Sequence, residues 1–302
     1  MLYPLQNNYR TVFDLSGFWK IKADPKNLGH KEKWFSSNLE GDTHTIAIPG
    51  SWNEQLTEQG FRNYVGKVWH ETTFNIPSVF GEEYKIWFRA GAADHSAEIW
   101  LNGNYVGEHE GGFLPFELDF TSFLNKSGQN NHLSICVDSS ITMHTLPQHI
   151  DPNSEQYGTP GYERRHLFPP TRFDFFPYGG LTRSVNLVAT PIIYISDINI
   201  DTANNGDINI EVTASEFDKV VVEIIDKEEN IVSKADSNNS SISLKLNNPN
   251  LWSPSNPYLY KARISLIINN TIIDKYDEEF GFRDIKIDGG KVLLNGEPLF
   301  LS

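Results

Sequence analysis

Trp100-Leu101-Asn102-Gly103-Asn104-Tyr105-Val106 sets two runs of strand-forming residues on either side of an Asn-Gly pair. Both central residues of a type I′ turn need φ > 0, and Asn and Gly tolerate this best, so the stretch predicts a β-hairpin. The same pattern of short apolar runs between Gly, Pro, Asn and Asp clusters extends outward from it. Strands are predicted at Trp19 to Ile21, Thr45 to Ile48, Lys67 to Phe74, Tyr84 to Phe88, Ala97 to Leu101, Tyr105 to Glu108, Phe116 to Asp119, His132 to Val137 and Thr182 to Ala189. Helical periodicity is almost lacking, so the fold class is all-β and the first domain a β-sandwich.

Beyond Pro191 the aromatics thin out and Asn, Asp, Ile and Val dominate. Strands at Ile192 to Ile200, Asp207 to Ala214, Lys219 to Asp226, Ser241 to Leu246, Tyr258 to Ile268 and Thr271 to Phe280 predict a smaller immunoglobulin-like β-sandwich. The expected division is 1–190, 191–284 and a tail at 285–302. In that tail, turns at Gly289-Gly290 and Asn295-Gly296 separate short apolar runs, and the last run, Leu299 to Leu301, lacks a following partner. An unpartnered apolar strand is a poor place for a domain to end, so the tail is expected to lead into a further domain that this chain does not contain.

At 302 residues, 39% hydrophobic and 13% aromatic, the chain can bury a substantial core, and a prior of ~100 to 200 residues per domain agrees with two domains. A net charge of -14 argues against nucleic-acid or anionic-membrane partners, which need clustered Lys and Arg, and a neutral polar ligand fits better. No basic-then-apolar leader and no long uncharged apolar run is visible, so a cytoplasmic location is expected. The single cysteine, Cys136, lies in the apolar run Leu133 to Val137 and predicts an inert core thiol.

No constellation is sufficient for catalysis. His144, His149 and Asp151 lie on a Pro-containing loop whose spacing fixes no common face, and no metal or other cofactor is assigned to them. Glu108 and Glu110 flank His109 at a strand end, where alternation puts both carboxylates on one side. That is the minimal arrangement for glycosidase acid chemistry, although a solvated edge is the plainer explanation. The long irregular stretch from Thr142 to Phe176 is too aromatic for disorder alone and is expected to pack on something.

Several motifs in order, Phe13-Asp14-Leu15-Ser16-Gly17-Phe18-Trp19, Ile48-Pro49-Gly50-Ser51-Trp52-Asn53, Gly66-Lys67-Val68-Trp69-His70, Ile99-Trp100-Leu101-Asn102-Gly103, Gly107 to Glu117 and Asp174-Phe175-Phe176-Pro177-Tyr178-Gly179-Gly180-Leu181-Thr182-Arg183, resemble the N-terminal part of glycoside hydrolase family 2. Trp252-Ser253-Pro254 to Tyr260 and Gly281-Phe282-Arg283 continue the resemblance. It is nearest the β-glucuronidases, on the strength of the Asp-Phe-Phe-x-Tyr-x-Gly motif. The resemblance implies a jelly-roll sugar-binding domain, an immunoglobulin-like domain and then a (β/α)8 catalytic barrel, which is absent from this chain. It also implies retaining hydrolysis of terminal β-glycosides by two barrel glutamates, so no catalytic residue is expected here and the chain alone is expected to be inactive. Asn53-Glu54 imitates the family's acid/base dipeptide but belongs to the first-domain motif.

One role carries over. Asp174 matches the family aspartate that reaches into the barrel's pocket and hydrogen-bonds sugar hydroxyls, against the alternative that it caps its own loop. Phe175, Tyr178, Gly179 and Gly180 are expected to shape that loop, with Arg183 in a buried ion pair. Pro177 and Gly179 depart from the Asn and Ala common in β-glucuronidases. The expected partners are a β-glycoside, the missing barrel and further copies of the chain in a homo-oligomer. A free-standing carbohydrate-binding module presenting Trp34, Trp52, Trp69 or Trp100, a structural adhesion module, and β-galactosidase or β-mannosidase specificity remain alternatives.

Overall fold

The computed structural model describes residues 2–77, 79–125, 128–142, 144–146, 148, 176 and 178–299. Two compact units emerge: Val12–Ala189, and Thr190–Ser302 together with Met1–Thr11.

In the first, strands run β1 (Thr11–Asp14), β2 (Gly17–Ala23), β3 (His44–Ile48), β4 (Gly50–Ser51), β5 (Lys67–Phe74), β6 (Tyr84–Ala90), β7 (Ser96–Leu101), β8 (Asn104–Glu110), β9 (Phe116–Asp119), β10 (Asn131–Asp138), β11 (Gly180–Leu181) and β12 (Val185–Pro191). A four-stranded sheet ordered β1-β12-β6-β9 faces a six-stranded sheet ordered β3-β2-β5-β10-β7-β8, and β4 pairs with β11 separately. This is the jelly-roll sandwich. Trp19, Ile21, Phe88, Ile99, Leu101, Phe120, Leu133 and Ile135 fill the space between the sheets, none more than 1% exposed. Each such side chain contributes about 1.5 to 3 kcal/mol of burial. The hairpin Asn102-Gly103 has φ of 53° and 77°, as a type I′ turn requires. Cys136 is buried beside Leu39, Trp69 and Trp100 on the other face of the six-stranded sheet.

The predicted strand from Thr182 begins only at Val185. Thr182 to Ser184 instead make irregular contacts: Thr182 bonds Asp94, Arg183 bonds the Phe113 carbonyl, and the Gly91 amide bonds Ser184.

In the second unit β13 (Ile195–Thr202), β14 (Asp207–Ala214) and β17 (Ser241–Lys245) form one sheet. The other is ordered β16 (Ile231–Ser237), β15 (Lys219–Ile225), β18 (Tyr260–Ile268), β19 (Thr271–Phe280). Strand β14 alternates strictly, with Ile208, Ile210 and Val212 turned into the core. A small sheet of β20 (Ile285–Asp288), β21 (Lys291–Leu294) and β22 (Glu297–Pro298) follows, turning at Gly289-Gly290 and Asn295-Gly296. All four residues of β20 are exposed, and Ile287 is 80% exposed.

Residues 2–10, assigned by sequence to the first sandwich, pack on the second. The Arg10 guanidinium pairs with the buried Asp274, Asn7 Nδ2 donates to the Lys275 carbonyl, and the Tyr276 hydroxyl donates to the Tyr3 carbonyl. No closed barrel occurs among the described residues, and none of their helices is long and apolar enough to cross a membrane.

Candidate functional site

The site assembles where the Gly-Gly end of the Asp174 motif meets the Ser-Trp-Asn motif, both in the first sandwich. Ser51 opens the short helix α1 (Trp52–Gln55), its hydroxyl accepting from the Asn53 amide at 3.1 Å. Asn53 is 1% exposed. Its Nδ2 donates to the Phe61 and Tyr64 carbonyls, both at 3.0 Å, and its Oδ1 accepts from the Gly179 amide at 2.8 Å. A Cβ on Gly179 would stand 2.0 Å from Trp52 Cζ2, so only glycine lets the chain lie against that ring. Gly180 has φ of 139° and would place a Cβ 2.5 Å from the Gly50 carbonyl oxygen.

Asp94 closes the arrangement from the other side. It is 4% exposed; its amide donates to the Gly180 carbonyl at 3.0 Å, and its Oδ2 accepts from the Thr182 hydroxyl at 2.7 Å. Its Oδ1 is buried with no hydrogen-bond partner among the described residues. Burial pushes the Asp94 carboxyl up to about 6, against the Thr182 hydrogen bond and the Arg183 charge, which both favour the ionised form. Burial likewise lowers the neighbouring His95 below its ordinary value.

A cavity of about 370 Å³ opens here, with Phe113, Phe176 and Tyr178 as apolar walls and Ser51, Glu54, Asp94, Thr182 and Arg183 as polar groups. Such a lining suits a ligand that presents hydroxyl donors on an apolar frame, because carboxylates accept hydroxyl hydrogens while aromatic faces cover C–H surface. The Phe176 and Tyr178 rings lie 4.5 Å apart, and the Arg62 guanidinium sits 4.2 Å from the Phe176 centroid.

Of the predicted site residues, Tyr178 lines the cavity, while Gly179 and Gly180 are buried in the turn beside it. Asp174 and Phe175 lie outside the described residues, as do His149 and Asp151. Arg183 departs from expectation: it is exposed rather than buried, and among the described residues its Nη1 donates to the Phe113 carbonyl at 3.0 Å. It precedes Val185 in a surface link, where water solvates a guanidinium and burial would bring no gain.

Glu108 and Glu110 are exposed on the edge strand β8; the Tyr105 hydroxyl donates to Glu108 at 3.0 Å, and His109 stacks on Phe116. Trp52 and Trp69 are fully buried and Trp100 is 4% exposed, while Trp34 is half-buried with the Lys22 ammonium 3.7 Å from its ring. Asp94 was missed from sequence. Its one signal is a carboxylate ending the small-residue run Gly91-Ala92-Ala93, just before an apolar strand.

Residues 12–191 match the family model described as glycosyl hydrolases family 2, sugar binding domain, and residues 193–283 match the glycosyl hydrolases family 2 model. The chain belongs to glycosyl hydrolase family 2. Among its relatives, the β-glucuronidase of Paenibacillus borealis is 34% identical over 309 residues, covering 100% of this chain and 50% of that protein. The β-glucuronidase of Homo sapiens is 32% identical over 324 residues, covering 99% of this chain and 49% of that protein. The structure of the Ruminococcus gnavus β-glucuronidase in complex with D-glucuronic acid superimposes with a TM-score of 0.87 at 32% identity, covering 99% of this chain and 50% of that one. The chain thus spans about half the length of the family members it matches.

Proposed function

We propose that this chain is the non-catalytic amino-terminal support of a retaining β-glucuronidase that hydrolyses terminal β-D-glucuronides. The observation that carries the proposal is the likeness, over 99% of the chain, to an enzyme whose structure holds D-glucuronic acid. In this reading Asp174 accepts hydrogen bonds from ring hydroxyls of the sugar. In the same reading the cavity beside Tyr178 would be the part of the first sandwich turned towards the ligand. Hydrolysis itself would use two glutamates ~5 to 5.5 Å apart on a catalytic barrel, through a glycosyl-enzyme intermediate.

A free-standing carbohydrate-binding module is disfavoured by packing. Trp52, Trp69 and Trp100 are core residues and offer no stacking platform to a sugar. The cavity is one open wall, short of the ~70 to 90% enclosure typical of small-ligand sites.

The test is hydrolysis of 4-nitrophenyl β-D-glucuronide, galactoside and mannoside by the protein expressed with the remainder of its reading frame. Glucuronide preference is expected, with no turnover by the 302-residue chain alone. Asp174→Ala should lower kcat/KM about 10- to 150-fold, the equivalent of ~1.5 to 3 kcal/mol for hydrogen bonds to a charged group. Preference for galactoside, or turnover by the isolated chain that persists through repurification, would overturn the reading.

A further inference from the structure

The segment Gly179 to Thr182 closes the motif yet has little to hold it in place by itself. Two of its four residues have no side chain, β11 is a two-residue strand, and its ladder with β4 has two pairs, Gly180 with Ser51 and Leu181 with Gly50. A ladder that short is marginal without outside support. Only Leu181 contributes a buried apolar side chain. The path of the backbone must therefore be fixed by groups from elsewhere in the chain.

We propose that Asn53 and Asp94 are positioning residues that hold Gly179 to Thr182 from two sides and so fix the cavity wall that carries Phe176 and Tyr178. The effect on substrate binding rests on the proposed β-glucuronidase reading.

The Asn53 amide has only one usable orientation. Its Nδ2 faces the carbonyls of Phe61 and Tyr64, with that of Arg62 at 3.3 Å, and carbonyls can only accept. Flipping the amide would oppose oxygen to oxygen there and leave the Gly179 amide facing a donor. Oδ1 is thus committed to Gly179, 126 residues away in sequence. The adjacent Trp52 amide donates to the Gly179 carbonyl at 3.3 Å, so both polar groups of that residue's backbone are held by one motif. From the opposite side, Asp94 bonds Gly180 through its backbone and Thr182 through its carboxylate. Every residue from Gly179 to Thr182 is therefore tied through a hydrogen bond or the short ladder. Asn53, which imitates a catalytic dipeptide in the sequence, acts through this turn and not on a reacting atom.

Two measurements test the proposal. The first is amide hydrogen exchange at Gly179 and Leu181 in the 302-residue chain, comparing wild type with Asn53→Ala and with Thr182→Val, which removes only the hydroxyl. Exchange should rise about tenfold or more in both variants, and Thr182→Ser should restore protection. The second is steady-state kinetics on 4-nitrophenyl β-D-glucuronide in the protein with the remainder of its reading frame. Thr182→Val should raise KM about 3- to 10-fold with kcat nearly unchanged, and Thr182→Ser should behave as wild type.

Unaltered exchange in Thr182→Val and in a folded Asn53→Ala would overturn the clamp, whatever the activity. Raised exchange with unaltered KM would overturn its role in positioning. Wild-type protein without activity on the glucuronide would overturn the functional reading, leaving the exchange rates to decide the clamp.

Discussion

Asp274 in the second sandwich and Asp94 in the first are both buried aspartates, and they differ in how many donors reach them. Asp274, 0% exposed, accepts from Arg10 Nε at 3.0 Å and Nη2 at 2.5 Å, and from the amides of Ile195 at 2.8 Å and Lys275 at 2.9 Å. Both oxygens are satisfied, and the guanidinium also donates to the Ile195 carbonyl and lies over the Tyr276 ring. Asp94 accepts one bond, from Thr182, and its other oxygen has none among the described residues. A fully paired buried charge fixes a scaffold, whereas a half-satisfied one is a standing cost that a fold tolerates at a working surface. In this chain the half-satisfied carboxylate is the one that lines the cavity.

The largest way to break that comparison is to unpair the scaffold carboxylate. Arg10→Met should cost about 3 to 5 kcal/mol of the second sandwich's stability, because it leaves the buried Asp274 carboxylate without its guanidinium partner. Urea unfolding followed by a probe in that sandwich checks this, and a loss under about 1 kcal/mol would place Asp274 among weak surface pairs instead.

A smaller effect comes from His70, fully buried on β5, whose pKa burial lowers to about 4. A base with a depressed folded value is protonated first in the unfolded chain. Its contribution to stability is therefore intact above pH 6.5 and lost as pH falls towards 4, by about 3 kcal/mol in all at 1.36 kcal/mol per unit. Imidazole shifts that stay unchanged down to about pH 5 are expected in NMR; titration near 6.5 would contradict the burial argument.

Sequence alone revealed what is local. Asn102-Gly103 and Asn295-Gly296 announce their turns because the requirement for positive φ is carried by the two residues themselves. Strand β14 announces its buried face because alternation is a property of consecutive positions. The missed strand β16 is an edge strand with Ile231 and Val232 exposed, so it lacks the apolar alternation that marks a core-facing strand. The turn Asn269-Asn270, with φ of 49° and 59°, carries no glycine and is marked in the sequence by the gap between the strands predicted on either side of it.

The site was legible only in part. The motif residues Tyr178, Gly179 and Gly180 fall at the cavity, yet Asp94 reaches Thr182 across 88 positions and nothing in either neighbourhood announces the other. Arg183 was misplaced for the same reason, since whether a guanidinium is paired and buried depends on what the distant chain brings to it. The attachment of residues 2–10 to the second sandwich rests on Arg10 meeting Asp274, 264 positions on.

The central claim, that the Asp94 carboxylate is held at a cost beside the cavity, is tested most directly by the stability of Asp94→Asn against wild type at pH 7.5. Its folded pKa of about 6 stands above the unfolded 3.8, so the fold favours the neutral form. The Asp94 contribution is most favourable below about pH 4 and is lost as pH rises through about 6, leaving a cost on the order of 1 to 3 kcal/mol at neutral pH. The side-chain amide introduced by that substitution carries no charge and keeps an oxygen for the Thr182 hydroxyl. The predicted result is therefore a gain of about 1 to 3 kcal/mol at pH 7.5 that disappears by about pH 4. A loss of stability at pH 7.5, of the size expected for unpairing Asp274, would show instead that the Asp94 charge is part of the scaffold.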